Sequence, residues 1–145
     1  MNLRLATHAD IPAMRRVRMA VRENVLSDPS RVTEADYIAA LKALGRSWVI
    51  EVDGEIVAFA SAHDAGSIWA LFVHPDHEGR GHGKALHRAM CQWLWSRGHS
   101  RLWLTTGAGT RAEHFYIAQG WRSCGEVAGG EVRLECDHPQ RTGDG

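Results

Sequence analysis

At 145 residues, with 44% hydrophobic and 23% charged side chains, the chain has the length and composition of one ordinary globular domain. No segment approaches the roughly 20 unbroken apolar residues of a membrane span, and the N-terminus turns polar too early for a signal peptide, so a cytoplasmic location is expected. Seventeen basic residues balance seventeen acidic ones, which excludes a bulk positive field for nucleic acid or membrane and leaves anion binding to local geometry. Cys91, Cys124 and Cys136 are odd in number and lack a C-x-x-C pair, so they read as reduced thiols.

Alternation over Leu3 to Leu5 predicts a short first strand. Asp10 caps a helix with Pro12 in its first turn; Ile11, Met14, Val17, Val21 and Val25 form the apolar stripe, and Arg15, Arg16, Arg18 and Arg22 cover the other faces. After the Ser27 to Ser30 turn, Thr33 and Asp36 resemble a capping box that opens a second helix, with Gly45 as its stop. Trp48 to Val52 and Ile56 to Ala62 flank Asp53-Gly54, the signal of a type I′ hairpin, and Ile68 to Val73 continues the meander. Gly83 to Arg97 is the longest helix, with Leu86, Ala89, Met90, Trp93 and Leu94 at helical spacing. Arg101 to Thr106 then runs parallel to the 68–73 strand, because a helical crossover joins them. Arg111 to Gln119 is a short helix, and strands near Trp121 to Cys124 and Glu131 to Cys136 complete the chain.

The order β-α-α-β-β-β-α-β-α-β-β mixes a meander with one βαβ crossover, which predicts a mixed α/β sheet in a single domain over residues 1–136 and a disordered tail over 137–145. Trp103 is expected in the core of a strand covered on both faces, with lining of an acyl tunnel as the alternative. Trp95 is read as an exposed indole, a homodimer contact being the alternative. His74, His77, His82 and His87 are not spaced as ligands on one helix face, so no metal is expected.

The stretch His77-Glu78-Gly79-Arg80-Gly81-His82-Gly83-Lys84 lies between a predicted strand and a predicted helix. Alternate glycines permit unusual backbone angles and clear side chains from a ligand's path, and the helix N-terminus adds free N–H groups and roughly half a positive charge. The turn suits a phosphate or pyrophosphate. A Rossmann fingerprint would need glycine where Lys84 stands, and a Walker A loop would need glycine at Glu78 and serine or threonine at Ala85.

Val73-His74-Pro75 followed by Glu78-Gly79-Arg80-Gly81-His82-Gly83 resembles the acetyl-CoA signature of the GCN5-related N-acetyltransferase (GNAT) family, except that Glu78 replaces the usual Gln or Arg. Ala112 to Trp121, with Phe115-Tyr116 before Gly120, resembles the family's second motif. The resemblance covers residues 46 to 121. It implies the α/β GNAT fold: a mixed, mostly antiparallel sheet of about seven strands with one parallel βαβ crossover and four helices. It implies acetyl-CoA as co-substrate, held by Leu71, Phe72, Val73, Glu78, Gly79, Arg80, Gly81, His82, Gly83, Lys84 and Gly109, the last standing where family members often carry Asn. Glu78 is expected either to turn away from the phosphates or to reduce affinity.

The resemblance further implies acetyl transfer to a primary amine of a small molecule or peptide by direct attack in a ternary complex. Tyr116 is the expected acid, since a tyrosine with pKa near 10 keeps its proton at neutral pH and can pass it to a leaving thiolate. A backbone N–H within Leu71, Phe72 and Val73 is the expected donor to the carbonyl. His63, Asp64 and Glu23 are the candidate bases, with deprotonation of the amine by water as the alternative, and Tyr37 and Asn24 lie in the segment that walls the acceptor. A non-catalytic acyl-CoA-binding module for sensing or assembly is the alternative function.

Overall fold

The computed structural model describes residues 2–21, 34–41 and 45–139. Among these, seven strands form two antiparallel sheets. The first holds β1 (Asn2–Leu5), β2 (Gly45–Val52), β3 (Glu55–His63) and β4 (Ile68–Val73) in that order. In the second, β7 (Glu131–Asp137) lies between β5 (Arg101–Gly107) and β6 (Arg122–Val127). Helices α1 (Ile11–Ala20), α2 (Glu34–Leu41), α3 (His82–Ser96) and α4 (Arg111–Ala118) pack around them. No helix is long and apolar enough to cross a membrane.

The two-residue period of a strand explains the first sheet. Trp48, Ile50, Ala58 and Ala60 share a core with Leu86, Met90 and Leu94 of α3. Val49 and Phe59, one residue out of phase, join Ile11, Met14 and Val17 of α1 and Tyr37 of α2 on the other face. Burial on both faces is why β3 reads as an unbroken apolar run, and each fully buried large side chain contributes about 1.5–3 kcal/mol. The β2–β3 turn has φ of 51° at Asp53 and 80° at Gly54, the left-handed pair that a type I′ turn requires.

Gly45, expected to stop the second helix, instead opens β2 opposite His63, where a Cβ would fall 1.8 Å from the Ala62 carbonyl oxygen. Asp10, expected as a cap, closes a 3-10 turn from His8 to Asp10 that leads into α1. Its carboxylate accepts from both terminal nitrogens of Arg4, at 2.8 and 3.1 Å, and from the Thr7 N–H at 2.8 Å. The Arg4 guanidinium holds this carboxyl below the usual range. β1 thereby fixes where α1 starts. The expected helix position Val25, the Ser27 to Ser30 turn and the Thr33 cap lie outside the described residues.

The expected parallel pairing of β4 with β5 is confined to one bridge, Ser67 with Trp103, supported by the Trp103 N–H donating to Gly66 O at 3.1 Å. Past that bridge β4 pairs with β3 and β5 with β7, so a wedge opens between the two sheets. β5 alternates buried and accessible residues and is covered on one face. Trp103, expected in the core, therefore sits on the accessible side under the Arg133 guanidinium, 4.6 Å from its ring centroid. Trp95, expected exposed, is half-buried with its ring 4.8 Å from that of His138. Asp137, expected in the tail, ends β7 and accepts from Arg101 and Arg122 at 3.0 Å each.

Candidate active site

The wedge continues into a cleft with two lobes. The larger, about 550 Å³, is bounded by Leu71, Phe72 and Val73 of β4, the glycine turn, the first turn of α3, and Arg111, Ala112, Phe115 and Tyr116 of α4. The smaller, about 240 Å³, lies between β4 and β5 and is closed by Arg18 of α1 and Glu131 of β7. Leu71, Phe72, Ala112 and Tyr116 line both lobes and form their junction.

The glycine turn is shaped by backbone. Gly79 has φ of 76° and Gly81 of 85°, angles costly for residues with a Cβ, and nothing lies within 4 Å of where either Cβ would be. Both line the large lobe. Gly81 is the N-cap of α3, and its carbonyl accepts the first helical bond, from the Ala85 N–H at 3.1 Å. The N–H groups ahead of Ala85 have no intrahelical acceptor, so the positive end of α3 opens on the lobe. Gly83 has a different role, since a Cβ there would touch the Phe115 ring at 3.6 Å.

Of the residues expected at the cofactor, Leu71, Phe72, Val73, Glu78, Gly79, Gly81, His82, Gly83 and Lys84 line the large lobe. Arg80 and Gly109 are not among the residues lining either lobe. Gly109 instead donates its N–H to the Glu113 carboxylate at 2.6 Å, part of the Thr110–Glu113 cap of α4. The Glu78 carboxylate meets Arg111 Nη1 at 2.8 Å, so its charge is balanced by the opposite wall of the lobe. His82 is only 6% exposed and neither ring nitrogen has a partner; burial, aided by His77 and Arg80, lowers its pKa. A polar ring left without a partner on a cavity wall suits a ligand with hydrogen-bonding groups.

β4 supplies donors as well. His74 gives its N–H to Val57 O of β3 at 2.8 Å. Antiparallel strands alternate their bonding edge, so Phe72 also faces β3 while the N–H groups of Leu71 and Val73 point away from it, toward the wedge. Leu71 lines both lobes.

Tyr116 is 5% exposed, yet it borders both lobes. The rings of Phe115 and Trp121 lie 5.3 Å from its own and that of His87 lies 6.0 Å away, a packing that holds its orientation. Burial, with a small contribution from Cys91, raises its pKa and keeps its proton on at neutral pH. Burial also pushes His87 down to about 4. The neutral ring accepts at Nε2 from Trp121 Nε1–H, 2.9 Å away. Cys91 is pushed up to about 12 by burial and stays a thiol.

Of the candidate bases, His63 and Asp64 do not line the cleft. Asp64 binds Arg97 in bidentate fashion at 2.8 and 3.1 Å, and His63 at the end of β3 lines neither lobe. Glu23 and Asn24 lie outside the described residues. Tyr37 is buried against Phe59 and Trp69. Side chains not foreseen at the cleft include Arg18, Trp69, Glu131 and Arg111. Among the described residues no group of three His, Cys, Asp or Glu side chains is placed to hold a metal.

Comparison with known proteins accounts for this architecture. The chain resembles the ribosomal-protein-S18-alanine N-acetyltransferase of Escherichia coli at 19% identity, covering 94% of this chain and 92% of that one with a TM-score of 0.76. It also resembles the paia N-acetyltransferase of Thermoplasma acidophilum, solved with coenzyme A, at 12% identity, 95% and 100% coverage and a TM-score of 0.80. A third similar structure is yncA of Salmonella typhimurium with its cofactor acetyl-CoA, at 17% identity, 94% and 93% coverage and a TM-score of 0.71. These likenesses establish the fold. No curated protein matches the sequence. The acetyltransferase (GNAT) family model matches residues 11–121, most of the chain, and the protein therefore belongs to the GNAT acetyltransferase family.

Proposed function

We propose that the protein transfers an acetyl group from acetyl-CoA to a primary amine by direct attack while both substrates are bound. The carrying observation is the junction: Tyr116 and Leu71 border both the lobe with the glycine turn and the smaller lobe between the sheets. A thioester reaching the junction from one lobe and an amine from the other would meet beside a phenol and a backbone donor. The large lobe fits the co-substrate: free N–H groups at the start of α3, with Lys84 and Arg111, suit its phosphates, and Leu71, Phe72, Val73 and Phe115 offer an apolar wall to its arm.

Acetyl-CoA, when bound, supplies an acyl group on a thiol leaving group. In this reading the Leu71 N–H donates to the carbonyl oxygen as negative charge develops there, a donor that needs no reorganisation. Tyr116 hydrogen-bonds the departing sulfur. Its raised pKa keeps the hydrogen in place but makes full transfer to a thiolate, whose pKa is about 8.5, unfavourable, so the proton lost by the amine completes the exchange. Among the described residues Glu131 is the carboxylate lining the amine's lobe; it receives the acceptor as an ammonium, which gives up one proton to solvent before the neutral amine attacks.

Two features favour the alternative of a non-catalytic acyl-CoA-binding module: Glu78 at the glycine turn, and β4, whose sequence Ile-Trp-Ala-Leu-Phe-Val holds no carboxylate to act as a base. Arg111 balances the first and Glu131 compensates for the second, which favours the enzyme. Thiol release from acetyl-CoA across a panel of primary amines tests the choice. Release matched by acetylated product supports transfer; binding of acetyl-CoA with no release from any amine supports the module instead.

A further inference from the structure

Arg18 differs from the seven arginines of the fold that are held near carboxylates. Arg4, Arg16, Arg97, Arg101, Arg111, Arg122 and Arg133 each lie within 4 Å of a carboxylate. Arg18 is half-buried, and among the described residues its Nη1 has no hydrogen-bond partner. That nitrogen is shielded from solvent. The guanidinium lies over the Phe72 ring, with Cζ 4.3 Å from the centroid. The Phe72 face orients the guanidinium but satisfies none of its five N–H groups in their plane.

This group lines the small lobe, where among the described residues Arg18 is the one basic residue and Glu131 the one acidic residue. A buried donor left unsatisfied is costly, and burial lowers the Arg18 pKa, so the site is held at some expense in stability. A planar fork of donors is matched by a carboxylate, which takes two parallel hydrogen bonds from it. At about 240 Å³ the lobe is below the roughly 300–1,000 Å³ of pockets for drug-sized ligands, so it takes one small group or the end of a longer one.

Resting on the proposed transfer reaction, we infer that the acceptor carries a carboxylate besides its amine, and that Arg18 is the residue that selects it. The lobe then presents a cation and an anion to a molecule that brings both signs. Two sources share this chemistry: the α-carboxylate of a free amino acid, and an acidic side chain near the amino end of a peptide.

The test compares acceptors that differ only in that group. The twenty common amino acids are assayed against their carboxamides, and tripeptides amidated at the C-terminus and carrying Asp or Glu against the same peptides with Asn or Gln. The preferred acid should exceed its amide in kcat/KM by about 10- to 100-fold, chiefly through KM, as expected for hydrogen bonds to a charged group. Arg18→Gln should collapse that ratio toward one, and Arg18→Lys should keep part of it. Acids and amides acetylated equally well by the wild type, or a ratio that Arg18→Gln leaves alone, overturns the inference.

Two controls separate its failure from other failures. Acetyl-CoA binding is measured by calorimetry, and its absence would overturn the transfer reading itself. Binding of N-acetylated amino acids against N-acetylated amino amides, titrated in the presence of CoA, reads the carboxylate preference without turnover; equal affinities overturn the inference. Arg18→Met should hold or raise the melting temperature, because it removes a half-buried cation whose Nη1 has no hydrogen-bond partner. A fall in melting temperature would mean that Arg18 is there to pack on Phe72, and that too overturns the inference.

Discussion

The two lobes of the cleft are built by different means. The large lobe is closed at one end by backbone, through the left-handed glycines and the open N-terminus of α3. The small lobe is closed by side chains brought from far apart: Arg18 from α1, Trp69 from β4 and Glu131 from the start of β7. Backbone donors recognise a phosphate whatever the neighbouring side chains are, whereas a side-chain pocket can be altered one residue at a time. A common co-substrate and a particular acceptor call for these two kinds of construction.

The junction between the lobes is where a substitution should have the largest effect. Tyr116→Phe keeps the buried ring and removes the hydroxyl, and kcat should fall about 100-fold or more with little change in acetyl-CoA binding. Unchanged turnover across pH would remove Tyr116 from the chemistry. The second expectation concerns the aromatic packing behind it. The pKa of His87 is near 4 in the folded protein and near 6.5 when exposed, so between those values the unfolded chain binds the extra proton. Stability is therefore complete above pH 6.5 and falls by about 3 kcal/mol as pH drops to 4. Denaturant unfolding from pH 7 to 4 should show this slope, and His87→Phe should flatten it.

Smaller effects sharpen the contrast between the lobes. Gly81→Ala forces a Cβ onto a left-handed residue at a cost of about 1–2 kcal/mol, and acetyl-CoA affinity measured by calorimetry should weaken about 10-fold with the acid-to-amide preference kept. If acceptor preference moved as well, the lobes would not be independent. Arg111→Gln should have the least effect on stability, at most about 1 kcal/mol, since it opens an exposed ion pair with Glu78. It also leaves the Glu78 carboxylate unbalanced beside the turn. A several-fold loss of acetyl-CoA affinity that Glu78→Gln restores in the double variant would show that Arg111 acts by neutralising Glu78.

Legibility in the sequence followed the range of the interaction. The β2–β3 hairpin, β4, α3 and α4 were readable because a turn pair, a strand period or a helical stripe is a property of neighbouring residues. Gly45 was misread as a helix stop because its reason for being glycine, the Ala62 carbonyl across the sheet, is 17 residues away. Trp103 was placed in the core because a crossover strand in a continuous parallel sheet is covered on both faces, and here the sheet divides after a single bridge. Arg18 read as one of several arginines on a solvent face, and nothing local distinguishes it from Arg15 or Arg16. Thr110 and Glu113, a capping pair before an apolar stretch, were a readable signal for the start of α4.

The sequence by itself determined the glycine turn before α3, the tyrosine motif and the order of elements, because each is specified by residues within about ten positions of one another. Tertiary structure decided the rest: that β4 and β5 diverge after one bridge, that the Leu71 N–H faces the resulting wedge, that Arg111 balances Glu78 from 33 residues away, and that Arg18 and Glu131 share a lobe. The physical reason is that hydrogen-bond direction and charge balance depend on which chain segments become neighbours in space, and spacing along the chain does not carry that information.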